Sequence, residues 1–289
     1  MVNPKLVVVV GETASGKSAL ALELARKFNG EIISADSWQV YKGFDIGTAK
    51  PSQQEQAETP HHLIDIRQVD EGFSAALYKD LANQAIAEIA QRGKLPILVG
   101  GTGLYVDSVL YDFSFLPAGV PGLREKLAQK SIPELLTMLE EQGIDTVGID
   151  TRNQRRLVRL LETGGQRPHS GQLRDNTLVM GLKLPRAKLR AQIEKRVGEM
   201  FRRGLKHEVK ALADKYGWGV EPMKGIGYRE FGAYFEGKQS LSETKRKIVR
   251  STLELAKRQR TWFKRHSEIT WVEGPKPALG LAEKFLSSV

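Results

Sequence analysis

The chain has 289 residues, of which 40% are hydrophobic, carries a net charge of +10 and contains no cysteine. This length suits one large domain or a domain with an insertion. The missing thiols exclude disulfides, thiolate zinc sites and thiol catalysis, and no apolar run approaches a membrane span, so a soluble, unprocessed, cytoplasmic protein is expected. Residues 1–118 hold 10 Lys plus Arg against 14 Asp plus Glu, net −4, and the remainder holds 34 against 20, net +14. That asymmetry fits either a polyanionic partner such as nucleic acid or a solvated basic face.

The first element is "KLVVVV", residues 5–10, an apolar β-branched run that reads as a strand. It enters "GETASGKS", residues 11–18: Gly11, then Glu12, Thr13, Ala14 and Ser15, then Gly16, Lys17 and Ser18. "SALALELARKF" follows as a helix with Leu20, Leu24 and Phe28 on one face. Strand, glycine-rich loop and helix are the setting a phosphate-binding loop requires. Backbone N–H groups around Thr13 to Lys17 would face an anion, Lys17 would supply a mobile charge, and Ser18 a hydroxyl for Mg2+.

"EIIS" predicts a second strand with Asp36 at its tip, followed by a loop-rich stretch. "SAALYKDLANQAIAEIAQRG" predicts a helix, and "LPILVGGTG" a strand that ends at Thr102. Residues 113–122, with two Pro and two Gly, read as an exit from this core. Helices are expected near 123–130, 133–142 and 151–163, a second linker at 164–176, and then "TLVMGLKLP" as a strand returning to the sheet. From Arg186 the chain reads as mostly helical, and its last long helix, 242–266, has an apolar stripe with 9 Lys plus Arg against 2 Glu over residues 243–265.

The fold expected is α/β: a P-loop parallel sheet flanked by helices, with a smaller all-helical insertion and a helical C-terminal part. Residues 1–117 and 176–289 would form the core, and residues 118–175, from Ala118 to Asp175, the insertion.

Ligands of an open parallel sheet bind at the carboxyl ends of its strands, so the three tips should share one crevice. A phosphate-loop NTPase usually ends an apolar strand in a magnesium-holding Asp, whereas "PILV" here ends in Gly-Gly-Thr-Gly. Asp36 could then hold magnesium or a substrate hydroxyl in a kinase, accept a proton in another group transfer, or cap a turn. A noncatalytic RNA-binding protein is a third class open to such a chain. His61 and His62, adjacent and without a nearby carboxylate, do not read as a metal site, and His169, His207 and His266 read as isolated surface residues.

"GETASGKS", "DSWQVYKGFDIGTAKP", "GGTGLY", "KGIGYREF" and "AKRQRTWF", in this order, resemble the tRNA dimethylallyltransferase (tRNA isopentenyltransferase) family over nearly the whole chain. The resemblance implies transfer of a dimethylallyl group from dimethylallyl diphosphate to N6 of the adenine at position 37 of tRNA, with Mg2+; a monomer is expected, although the sequence does not fix the oligomeric state. It assigns Thr13, Ser15, Gly16, Lys17 and Ser18 to the diphosphate, with Arg229 as a further contact. Asp36 becomes the base on the adenine amino group, and Thr102 assists at the reaction centre. It also implies tRNA contacts by Asp36, Ser37, Trp38, Gln39 and Thr102 and, in the insertion, by Arg124, Arg155, Arg156, Leu157, Val158 and Arg159. Further contacts would come from Lys224, Gly225, Ile226, Gly227, Tyr228 and Arg229, and from residues 256–263, chiefly Lys257, Arg258, Gln259, Arg260 and Trp262. Three residues depart from the family pattern: Glu12 stands where Pro is usual, with its side chain expected to point outward, Gly198 where Asp is usual, and Leu253 where Arg is usual. The insertion offers "DTRNQRR" in place of the usual Pro-Asn-Asp before its Arg-rich helix.

Overall fold

The computed structural model describes residues 3–117, 119–169 and 171–288. Six strands lie in one parallel sheet: β1 (Leu6–Gly11), β2 (Gly30–Ala35), β3 (His61–His62), β4 (Leu95–Gly100), β5 (Thr177–Leu182) and β6 (Thr270–Val272), in the order β3-β2-β4-β1-β5-β6. β1, β2 and β4 are buried along their whole length, which is why their sequences are continuous apolar runs rather than alternating ones.

Helices α1 (Lys17–Phe28), α2 (Gln53–Glu58), α3 (Ala75–Gln91) and α4 (Gly103–Leu110) belong to the first half of the chain. Leu20 and Leu24 of α1 are buried against Val7, Val9, Ile97 and Val99 of the sheet, and Phe28 packs at the rim of that cluster. α3 and α4 also pack on the sheet, with Tyr78 stacked on Tyr105 at 4.0 Å between ring centroids.

Residues 111–172 form a separate compact unit. It contains α5 (Leu123–Ala128), α6 (Ile132–Glu141) and α7 (Gln154–Glu162), which close around Leu127, Leu135, Leu139, Leu157 and Leu160. Residues 1–110 and 173–289 form the other unit. The boundary expected at Ala118 lies outside the described residues.

β5 returns beside β1 with Leu6 opposite Thr177 and Gly11 opposite Leu182. α8 (Arg186–Arg202), α9 (Leu205–Tyr216), the short α10 (Gly232–Phe235), α11 (Leu241–Phe263) and α12 (Pro275–Ser287) follow. α11 starts at a capping box in which Ser240 and Glu243 satisfy each other's backbone N–H. Of its expected stripe, Ile248, Thr252, Ala256 and Phe263 are buried, and the helix packs on α8 and β1. α12 covers the same sheet face as α1 through Ala278 and Ala282. No helix among the described residues is long and apolar enough to cross a membrane.

Two features differ from the sequence reading. β6 interrupts a stretch read as helical. It is three residues long with Trp271 half-exposed, too short for any periodicity to show. Second, a carboxylate does approach the histidine pair: register between β2 and β3 sets Ile33 opposite His62 and brings Glu31 Oε2 to 2.7 Å from His62 Nε2. Arg92 and Lys94 reach the same buried carboxylate at 2.7 and 3.0 Å. Although burial opposes ionisation, the hydrogen bonds from His62, Arg92 and Lys94 prevail and bring Glu31 down to about 2 from an ordinary 4.5.

Because the folded value lies below the ordinary one, this stabilisation is present above pH 4.5 and lost as pH falls toward 2. Glu31→Gln should therefore cost about 1–3 kcal/mol at pH 7. In urea melts its deficit relative to the unsubstituted chain should close as the pH falls through that window.

Candidate active site

The ends of β1, β2 and β4 meet around a cleft of about 430 Å³ whose lining includes Thr13, Gly16, Lys17, Ser18, Asp36, Gln39 and Arg196. Leu22, Ile32, Ile46, Val99 and Met200 give it an apolar wall.

After β1 the chain takes left-handed backbone at Ala14 (φ 62°) and Gly16 (φ 95°), an alternation that turns N–H groups inward as a nest. Gly16 caps α1 without a side-chain acceptor, so the first N–H groups of the helix are available to an anion. The cradle is narrower than residues 13–17, since Thr13 N–H donates to Gln259 Oε1 at 2.7 Å and Ser15 N–H to the Glu12 carbonyl at 3.1 Å. Ser15 Oγ is buried in the loop with no hydrogen-bond partner among the described residues. Lys17 Nζ donates to the Glu12 carbonyl at 3.1 Å. Burial, and then the neighbouring Arg196, bring Lys17 down to about 8 from its ordinary 10.5, against the opposing pull of Asp36 and Glu12.

Asp36 Oδ1 accepts N–H bonds from Trp38 at 2.9 Å and Gln39 at 3.4 Å, so one oxygen organises the turn. Oδ2 carries no hydrogen bond among the described residues. Gln39 bridges Ser34 Oγ at 3.0 Å and the Thr48 carbonyl at 3.3 Å. Thr102 Oγ1 accepts from Ser37 N–H at 3.2 Å, joining the second and third tips, but Thr102 is not itself among the residues lining the cleft.

The glycines after β4 are explained by α11. A Cβ on Gly101 would sit 2.2 Å from Gln259 Nε2, and one on Gly103 would sit 2.3 Å from the Trp262 ring. Trp262 Nε1–H donates to Asp107 at 2.9 Å, and Gln259 Nε2–H to the Gly101 carbonyl at 3.0 Å. His266, expected to be isolated, lies 3.2 Å from Asp107 Oδ1 with its ring mostly covered. Burial raises Asp107, with His266 first among the groups that oppose it.

Glu12 does not point outward. It is 4% exposed, and its carboxylate takes Arg260 Nε at 2.7 Å and Nη2 at 2.9 Å. Three of the expected RNA contacts are also internal. Leu157 and Val158 are buried in the core of the smaller unit and Tyr228 is 1% exposed, so none of the three has surface to offer a tRNA. Arg124 holds Glu162 through two bonds of 2.8 and 2.7 Å, and Arg159 donates to the Leu116 carbonyl at 2.7 Å. Arg229 is half-exposed, lies 3.1 Å from Glu230, and is not among the residues lining the cleft. Lys224 pairs with Glu221, Ile226 is half-buried, and Gly225 packs under Trp38, where a Cβ would lie 3.4 Å from the ring. Gly227 donates its N–H to Glu230 at 2.8 Å. Arg155, Arg156, Lys257 and Arg258 are exposed.

The sequence reading missed two residues. Arg196 lies on the inward face of α8 with Leu189, Ile193 and Met200, enters the cleft and donates to Thr13 Oγ1 at 3.2 Å. A charge on an apolar helical stripe was the available signal. Glu208 accepts N–H bonds from Asp45, Ile46 and Gly47 at 3.3, 2.8 and 3.1 Å, and the Tyr228 hydroxyl at 2.8 Å, bracing the loop after β2. No local pattern marks it.

The IPP transferase family model matches residues 39–266. The tRNA dimethylallyltransferase of Anoxybacillus flavithermus is 41% identical over 280 residues, covering 93% of this chain and 90% of that protein. The chain belongs to the IPP transferase family. The Bacillus subtilis member, also a tRNA dimethylallyltransferase, is 41% identical over 287 residues, covering 94% and 91%. Among solved IPP transferases, the full-length tRNA isopentenylpyrophosphate transferase of Bacillus halodurans superposes with a TM-score of 0.75 at 36% identity, over 98% of this chain and 95% of that one. A eukaryotic dimethylallyltransferase acting on tRNA superposes with a TM-score of 0.79 at 25% identity, over 98% and 79%.

The Lys17 value sets a pH test for this IPP transferase. Lys17 is charged below about 8 and neutral above it. Calorimetric affinity for inorganic diphosphate should therefore fall through that region relative to Lys17→Arg, which keeps its charge. Parallel pH profiles for the two proteins would place the anion away from Lys17.

Proposed function

We propose that the chain transfers a dimethylallyl group from dimethylallyl diphosphate to N6 of the adenine at position 37 of tRNA, releasing diphosphate. The observation that carries this reading is the juxtaposition, in one cleft, of an anion cradle with Lys17 and Arg196 and a carboxylate, Asp36, on the neighbouring strand tip. The diphosphate lies in the nest at the start of α1, held by the Gly16, Lys17 and Ser18 N–H groups, Lys17 Nζ and Arg196. The apolar wall takes the hydrocarbon.

An exocyclic adenine amine is a weak nucleophile because its lone pair is delocalised into the ring. As N6 bonds to the allylic carbon and the carbon–oxygen bond breaks, Asp36 accepts the N6 proton and the electron pair leaves with the diphosphate. Lys17 and Arg196 stabilise that departing charge from fixed positions. Thr102 orients the acceptor side through Ser37, and Arg229 comes to the diphosphate only in a rearranged, substrate-bound site.

The donor set fits a magnesium ion. Ser18 offers a hydroxyl beside the cradle, and no group of three or more His, Cys, Asp or Glu among the described residues forms a separate metal cage, as suits a hard ion held mainly by substrate oxygens and water. Mg2+ would be held by Ser18 and would neutralise diphosphate charge. On the RNA side, exposed Lys257 and Arg258 hold backbone phosphates of the anticodon stem-loop while the adenine, in a single-stranded loop, turns into the cleft, and in the smaller unit Arg155 and Arg156 are exposed cations able to take RNA phosphates. The chain acts as a monomer in the cytoplasm.

Incubation with unmodified tRNA, labelled dimethylallyl diphosphate and competing ATP tests the reading. Label should enter tRNA, whereas phosphate transfer from ATP would indicate a kinase and binding without turnover an RNA-binding protein. Asp36→Ala should lower turnover by about 10²–10⁴-fold while tRNA binding persists. Near-normal turnover would remove Asp36 from the role of base. Affinity for tRNA should weaken steeply with salt, and a constant affinity from low to moderate salt would contradict the phosphate contacts.

A further inference from the structure

Arg260 sits on α11 in a run of cations, and its neighbours Lys257 and Arg258 are exposed. Arg260 differs from them in that its side chain is 23% exposed, with Nε and Nη2 both bound to the Glu12 carboxylate, which is itself 5% exposed. Glu12 lies two residues before Ala14, where the anion nest begins, and its charge acts on Lys17. An unpaired carboxylate in that position would repel any anion in the cradle. A guanidinium drawn out toward an RNA phosphate would leave that carboxylate buried without its partner, a strongly unfavourable state. The adjacent Gln259 takes the Thr13 N–H and holds the Gly101 carbonyl, so two consecutive residues of α11 fix the loop and the tip of β4 together.

We infer that Glu12 and Arg260 form a positioning pair for the donor site, in which Glu12 withdraws Arg260 from the RNA-facing surface and Arg260 cancels the charge of Glu12 beside the diphosphate. This inference rests on the tRNA prenylation reading for its RNA arm only. Its diphosphate arm stands independently. The pair also accounts for an acid inside a phosphate-binding loop, a choice that the loop's own chemistry disfavours.

The test uses the full chain with Arg260→Gln, Glu12→Gln, the double variant, and Arg260→Lys as the conservative control. Calorimetry with inorganic diphosphate measures the cradle alone, and tRNA affinity against salt counts phosphate contacts. Arg260→Gln should weaken diphosphate binding at least about tenfold and leave the salt slope for tRNA unchanged. The double variant should recover most of the diphosphate affinity, because removing the naked carboxylate relieves the repulsion. Urea melts run in parallel separate this from a merely structural role, which would move stability and diphosphate affinity together, whereas a naked carboxylate beside the cradle weakens affinity even where Arg260→Gln is fully folded. Arg260→Lys, which keeps the charge, should bind diphosphate more tightly than Arg260→Gln. Glu12→Gln, which frees Arg260, should steepen the slope by about 0.7–0.9, the value of one phosphate contact.

The inference is overturned if Arg260→Gln lowers the slope by that amount with diphosphate affinity intact, or if the double variant binds diphosphate no better than Arg260→Gln. Should the unsubstituted chain bind no tRNA and transfer no label, the prenylation reading fails, and the diphosphate measurements still decide the pair.

Discussion

The close approach of α11 to the tips of β1 and β4 is the constraint on which the cleft depends. At 2.2 and 2.3 Å from would-be Cβ atoms, the Gln259 amide and the Trp262 ring occupy the space that a side chain on Gly101 or Gly103 would need. In return, the helix supplies an acceptor to Thr13 N–H, a donor to the Gly101 carbonyl and an indole N–H to Asp107. The glycine-rich loop after β1 is therefore held from the C-terminal part of the chain as well as from its own strand and helix. The glycine-rich tip of β4, which at first marks only the lack of a magnesium-holding Asp, is the surface on which that helix lies.

Within this frame the charges are crowded and paired. Lys17, Arg196, Asp36 and Glu12 influence one another around a single cleft, and Arg260 closes the set through Glu12. Burial lowers both Lys17 and Arg196, so each cation is desolvated before any anion arrives. Such groups meet a ligand with less water to displace and little freedom to lose, which is how a fixed site stabilises charge that develops during a reaction. The loop after β2 is fixed in the same manner. Buried Lys50 holds Asp45 and Asp65, each at 2.6 Å, and Glu208 takes three consecutive N–H groups.

What the sequence disclosed follows from what acts locally. The glycine-rich turn between β1 and α1, the bounds of α1, the strands that carry Asp36 and Thr102, and the return of residues 177–182 to the sheet are all encoded in runs of apolar residues and in short motifs. Arg196 and Glu208 are encoded only in three dimensions, since each gains its meaning from partners more than a hundred residues away. Glu12 was misread for the same reason: nothing near it in the chain indicates that Arg260 will arrive. Leu157, Val158 and Tyr228 show the converse error. A segment can lie at a surface while alternate members of it, facing inward, belong to the core. Of the two remaining departures, Leu253 packs as a partly buried apolar residue at the core cluster of α8 and α11, and nothing in the structure explains Gly198.

The braces of Glu208 and Arg260 also bear on the order in which the molecule can be completed as it is made. A ribosome delivers residues 11–18 first, yet the strand beside β1 begins only at Thr177, the acceptor for the Asp45–Gly47 amides only at Glu208, and the partner of Glu12 only at Arg260. Until those residues have emerged, the nascent loop carries a carboxylate with no counter-charge and an amide with no acceptor. The ordering of the glycine-rich loop is thus tied to the finished chain, and a truncated product would carry the motif without its supports.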